Sequence, residues 1–345
     1  MSIVRTDPFT LASGSTNIPD TAVIGSTNTL YLGCRRNDTS NSWSTFRSPG
    51  NGALDQIAFW NTELTAAQIT AQFNALPPAW TPTNFNWELM LPVNDAGQLV
   101  PNDPPHVVEH AALVAGFQFV DCTKKYFYRG LSNSLIFEAP WNGADTDTSS
   151  NSPRTELRET LANGIDYNWR PYNPGSGTTT NTHTLQATCT LDSIPGKLIF
   201  GQIHAETPVA TNGAVPAVTL FREDPAVSNR IRLTVYYSPT RVTFGGNQDK
   251  TYDIVSGVNV GDRIDYELKL VGTSNSNITL FATVSVNQGT NVIQPVFMTS
   301  ELGYSGWGAT NVTLYFKAGC YFPKAATNGG TAKVTFSSLG VTHQP

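Results

Sequence analysis

Charge is the scarcest feature of this sequence. Asp, Glu, Lys and Arg make up 14% of its 345 residues, against about 25% in an ordinary globular chain. That is too little for long solvent-exposed helices, which need Glu and Lys on their wet faces. It is also too little for a disordered polyelectrolyte, and the 10% aromatic content supplies a core. Long apolar runs are missing as well, so no segment reads as a membrane-spanning helix of ~20 residues. The first residues, Met1-Ser2-Ile3-Val4-Arg5-Thr6-Asp7, lack the apolar stretch of a signal peptide. Cysteines number four, Cys34, Cys122, Cys189 and Cys320, widely spaced and without a CxxC pair. This excludes a dense disulfide framework and argues against a metal cage or a redox motif. Nor is there an excess of positive charge. The net charge is -5, which argues against general nucleic-acid binding.

What is abundant is Ser, Thr, Asn and Gly, with 22 prolines. Thr- and aromatic-rich strands joined by Gly, Pro and Asn turns suit that mixture. At roughly 150 residues per domain the length points to two domains. Leu76-Pro77-Pro78-Ala79-Trp80-Thr81-Pro82 removes backbone donors in quick succession and places a boundary there. Before it, residues 30–32 and 53–60 read as strands. Residues 62–73 read as a helix with Leu64, Ile69 and Phe73 near one face. This N-terminal piece, 1–77, resembles the end of a laminin-G-like or concanavalin-like lectin domain whose first strands are missing.

From residue 80 to 345 the pattern is nearly all strand. Leu185-Gln-Ala-Thr-Cys-Thr-Leu191 alternates strictly, and residues 230–237, 266–270, 279–286 and 332–336 behave likewise. Many short alternating strands with turn signals between them predict an all-β sandwich or jelly roll. Cys189 and Cys320 fall on core faces of such strands and read as buried thiols, with a disulfide between them left open.

Three segments depart from the Thr/Ser/Asn surfaces of the rest. Successive strand side chains alternate between faces. Arg154, Glu156 and Arg158 therefore share a face in Arg154-Thr155-Glu156-Leu157-Arg158, and so do Gln202 and His204. Tyr315, Lys317 and Tyr321 share one too, with Phe316, Ala318 and Cys320 on the opposite, core-like face. A single such segment reads as an ordinary wet surface. Three in a chain this poor in charge point to a site.

The same segments, R-T-E-L-R at 154–158, Q-I-H at 202–204 and Y-F-K-A-G-C-Y at 315–321, resemble in type and order the signature blocks of alginate lyases of polysaccharide lyase family seven. Asn86-Trp-Glu-Leu-Met-Leu-Pro92 and Ala139-Pro-Trp-Asn-Gly-Ala144 agree with it. The resemblance implies a concanavalin-like jelly roll that cleaves a 1,4-linked uronate polymer by β-elimination, endolytically, leaving 4,5-unsaturated ends. It implies Arg154, Gln202 and His204 as neutralisers of the substrate carboxylate, a demand that preorganised donors meet. Tyr321 becomes the acid and base for mannuronate, or the acid with His204 as base for guluronate. Arg158 and Lys317 would meet neighbouring carboxylates, Glu156 would orient the arginines, and Tyr315 would stack on sugar or simply pack. Q-I-H, as opposed to Q-V-H, correlates with acceptance of guluronate. No metal or organic cofactor is implied, since arginine takes the cation's place.

The expected partner is alginate, an anionic polysaccharide, with neither nucleic acid nor membrane. The chain is expected to act as a monomer outside the cell. A non-catalytic sugar-binding sandwich, or a lyase for another polyuronate such as glucuronan, stands as the alternative. His106-Val-Val-Glu109-His110 matches the H-x-x-E-H zinc-peptidase pattern. It follows Pro104-Pro105, and one short match arises easily by chance.

Overall fold

The computed structural model describes residues 34–37, 42–45 and 86–344, apart from 102, 121–123, 131–133, 146–151, 177–179, 207–215, 240–246, 300–305 and 324–328. The strands expected at 30–32 and 53–60, the helix expected at 62–73 and the lectin-like module they compose lie outside the described residues. The chain divides into two units, Met1–Pro78 with Val120–Lys125, and Ala79–Phe119 with Tyr126–Pro345. In the first, β1 (Cys34–Asn37) pairs antiparallel with β2 (Ser42–Thr45).

The rest of the described chain is built almost wholly of strands. In order they are β3 (Trp87–Met90), β4 (Val107–Val108), β5 (Phe119–Val120), β6 (Lys125–Arg129), β7 (Leu135–Pro140) and β8 (Arg154–Glu159). A short helix, α1 (His110–Val114), interrupts them after β4. Next come β9 (Asn181–Ser193), β10 (Leu198–Ala205), β11 (Pro216–Arg222), β12 (Ile231–Tyr236), β13 (Asp249–Val255) and β14 (Arg263–Ser274). Last are β15 (Asn277–Val286), β16 (Val292–Phe297), β17 (Leu314–Tyr321) and β18 (Thr331–Gln344). They form two eight-stranded sheets, β13-β12-β11-β10-β17-β8-β3-β4 and β16-β15-β14-β9-β18-β7-β6-β5. This is the all-β jelly-roll sandwich that the alternation implies.

The two sheets bury one common core. Leu157, Ile203, Phe316, Ala318 and Cys320 come from the first sheet, and Leu185, Leu268, Leu280, Val334 and Phe336 from the second. The strict alternation of β14 and β15 matches sheets wet on one side. Cys189 and Cys320 are both buried and both free thiols, so the open disulfide does not form between them. The H-x-x-E-H segment is not one helical face. Val107 and Val108 are strand, Glu109 is the residue before the helix, and His110 begins it. His106 instead places Nδ1 2.8 Å from Asp95 Oδ1.

Candidate active site

Strands β10, β17 and β8 are adjacent in the middle of the first sheet, and their register decides which side chains meet. Lys317 lies between Gln202 and Arg158, Tyr315 is opposite His204, and Tyr321 is opposite Arg154. Directly opposed residues stand about 4.5–5.5 Å apart between Cβ atoms. The sheet therefore gathers onto one face every residue singled out from the three segments. Gly319 makes this possible. A Cβ there would lie 2.5 Å from the Thr155 carbonyl oxygen and 2.7 Å from the Glu156 Cα, so any larger residue would push β17 off β8. Between Ile199 and Gly201 the pairing of β10 with β17 slips by one residue, whereas β17 and β8 stay in step from Lys317 to Tyr321.

Glu156, Gln202 and Lys317 form the floor. Glu156 is 1% exposed and Lys317 4%. Gln202 Nε2 donates to Glu156 Oε1, and the Lys317 ammonium pairs with Glu156 Oε2. Glu156 thus holds Gln202 and Lys317, not the two arginines as expected. An amide nitrogen has two hydrogens, so Gln202 keeps one donor for a ligand. Burial pushes the Lys317 ammonium below its ordinary value, and the Glu156 carboxylate opposes that.

Above the floor stand the partly exposed Arg154, His204 and Tyr321. The Arg154 guanidinium lies over the Tyr321 ring, 4.1 Å from its centroid. Its buried Nε has no hydrogen-bond partner among the described residues. His204 Nδ1 lies 2.9 Å from the Ala205 carbonyl oxygen and 3.1 Å from the Tyr315 hydroxyl. A carbonyl only accepts, so the imidazole proton sits on Nδ1 and the Nε2 lone pair is left free. Burial, then the nearby Lys317, Arg154 and Arg158 charges, lower the His204 pKa to about 3. The ring is therefore neutral at ordinary pH. Tyr315 is buried, and burial pushes its phenol up, so it remains a neutral hydroxyl beside His204.

Arg158 is held differently. Its guanidinium stacks on Tyr315, 4.2 Å from the ring centroid. Nη1 pairs with Asp166 and lies 3.6 Å from Glu88, and Nη2 lies 2.6 Å from Glu206. None of these carboxylates stood out in the sequence. Glu88 sits on β3 directly opposite Arg158 and was visible only as a polar residue between Trp87 and Leu89. Asp166 and Glu206 follow β8 and β10 in segments with no periodicity to read.

A second missed group lies on the core side of β8. Buried Glu159 accepts from Trp169 Nε1 at 3.0 Å and from the Phe316 backbone N–H at 3.1 Å, and meets His343 Nε2 at 2.5 Å. The side chain thereby ties down β17 between Tyr315 and Lys317. Trp169 in turn stacks on His183, with centroids 4.2 Å apart, and His183 Nδ1 lies 2.8 Å from His343 Nδ1.

Comparison with known proteins identifies the family and the fold. A family model described as alginate lyase matches residues 85–343. An alginate lyase from Klebsiella pneumoniae is 25% identical over 298 residues, 74% of this chain and 88% of that protein. Among solved structures, an alginate lyase from Pseudomonas aeruginosa is similar with a TM-score of 0.55 and 27% identity, over 75% of this chain and 98% of that one. Alginate lyase A1-II′, a member of polysaccharide lyase family seven, is similar with a TM-score of 0.54 and 26% identity, over 75% of this chain and 95% of its own.

Proposed function

The chain belongs to the alginate lyase family, and from that premise we propose that it cleaves alginate endolytically with Arg154, Gln202, His204 and Tyr321. The observation that carries this reading is the meeting of these four side chains on one face of three adjacent strands. Those strands are central in their sheet, which suits a polymer that continues past the site in both directions.

The difficult step is removal of the C5 proton beside a carboxylate, because a second negative charge builds on that group. Arg154, with an unpartnered Nε, and the spare amide hydrogen of Gln202 neutralise it. Donors fixed in advance lose no energy to reorientation as the charge develops. The electron pair of the C5–H bond forms the C4–C5 double bond, the C4–O4 bond breaks, and O4 takes a proton. Tyr321 gives that proton. In mannuronate, where C5–H and O4 lie on one side of the ring, the Tyr321 oxygen takes the C5 proton and passes that same proton to O4. In guluronate the His204 Nε2 lone pair removes it from the other side. Burial is the larger reason that His204 is a poor base, and the entering uronate carboxylate offsets the smaller part that comes from Lys317 and the arginines. Lys317 acts through Glu156, as part of the floor that holds Gln202. A polymer substrate fits action outside the cell.

The test is the ultraviolet absorbance of the unsaturated product on alginate, polymannuronate and polyguluronate, with product sizes followed over time. A rise in absorbance with early oligomers of mixed length is expected. A flat trace on all three polymers, or release of monomers alone from the start, contradicts the reading.

A further inference from the structure

Arg158 carries more counter-charge than any other cation of the site. Asp166, Glu206 and Glu88 surround its guanidinium, and Asn168 Oδ1 lies 3.4 Å from Nη2. The Arg158 side chain is 13% exposed, whereas Asp166 is 48% exposed and Glu206 28%. Solvent therefore meets the carboxylates before it meets the arginine. One guanidinium among three carboxylates leaves the cluster net negative. Four residues back on the same strand face, roughly 13 Å away at ~3.3 Å per residue, Arg154 has no carboxylate partner among the described residues.

A uronate polymer carries a carboxylate on every ring. One placed beside Arg158 would face Asp166 and Glu206, and like charges opposed across an interface are penalised. A sugar hydroxyl would be welcome there, since an ionised carboxylate is a pure acceptor and a hydroxyl can donate to it. We propose that Asp166 and Glu206 are specificity-determining residues, which withdraw Arg158 from uronate carboxylates and leave that edge of the site to sugar hydroxyls. The proposal rests on the lyase reading of the site. It opposes the simpler view that the carboxylates hold Arg158 ready for substrate, and the two views differ in sign.

Steady-state kinetics of the full chain with Asp166→Asn, Glu206→Gln and both together decide between them. Both residues are partly exposed, so folding should persist, and a melting curve checks that. The expected result is a KM for alginate lowered about fivefold in the double variant, the scale of one exposed charge interaction, with kcat within about twofold. Adding Arg158→Gln should cancel the gain. An unchanged or raised KM in a double variant that melts normally overturns the proposal. Calorimetric titration of short uronate oligomers into Tyr321→Phe, with and without the two changes, gives a second reading free of turnover. About fivefold tighter binding supports the proposal, and equal or weaker binding overturns it. A flat wild-type absorbance trace would count against the lyase reading alone, because this titration still reports on the carboxylates.

Discussion

The two ends of the site use the same pair of residues to different effect. At one end Arg154 lies over Tyr321, and at the other Arg158 lies over Tyr315. Both arginines come from β8, and both tyrosines from β17. Yet Arg154 has a buried nitrogen without a partner among the described residues, and Arg158 is enclosed by Asp166, Glu206 and Glu88. Tyr321 is partly exposed, and Tyr315 is buried. Residue type therefore does not set the role of an arginine on this face. Its counter-charges do: an unpaired guanidinium can take a substrate carboxylate, and a surrounded one is already satisfied.

The sharpest way to break this comparison is at the tyrosines. Tyr321→Phe should lower lyase turnover by at least ~10³-fold, the scale of a lost general acid and base, with an unaltered melting curve. Near-normal turnover in that variant would remove Tyr321 from the chemistry. At the arginines, Arg154→Gln should lower kcat/KM by ~10²–10³ and leave stability within ~0.5 kcal/mol. Arg158→Gln should do the reverse. It strands the partly buried Glu88 and costs about 1–3 kcal/mol, discounted for the exposure of Asp166, with a smaller effect on kcat. Equal catalytic losses at the two positions would erase the distinction between the ends.

The floor between the two ends should behave as a buried ion pair. Glu156→Gln leaves the Lys317 ammonium without its counter-charge, so denaturant unfolding should show a loss of about 3–5 kcal/mol. A melt like that of the wild type would mean that Lys317 finds another partner.

The remaining effect is on pH. The His204 and His183 pKa values are both lowered to about 3, mainly by burial, below the unfolded value of ~6.5. The unfolded chain then binds more protons than the native one between those limits. Stability is complete above the unfolded value and declines as pH falls toward 3, by up to ~1.4 kcal/mol per pH unit for each ring. Urea titrations at stepped pH should show a shallower decline in His204→Gln. The same decline as in the wild type would mean that His204 contributes nothing to it.

Much of this was legible in the sequence because strands alternate. Arg154, Glu156 and Arg158 on one face, with Thr155 and Leu157 on the other, follow from a period of two. So does the burial of Phe316, Ala318 and Cys320 opposite Lys317 and Tyr321. The partners were not legible. The expectation that Glu156 orients the arginines failed because neighbours along a strand say nothing about neighbours across it. Register places Lys317 and Gln202 within reach of Glu156, and register depends on the Gly319 contact and the slip near Gly201. Asp166 and Glu206 escaped notice because they follow strands in aperiodic segments, and Glu159 because an odd-numbered position on β8 reads as core.

By itself, the amino-acid order determined the sandwich, the face on which each candidate side chain lies, and the three segments that carry the chemistry. Those are consequences of local geometry, which acts over a few residues. Only the tertiary structure decided which carboxylate neutralises which cation. Coulomb interactions depend on distance and burial, and strands far apart in the chain set both.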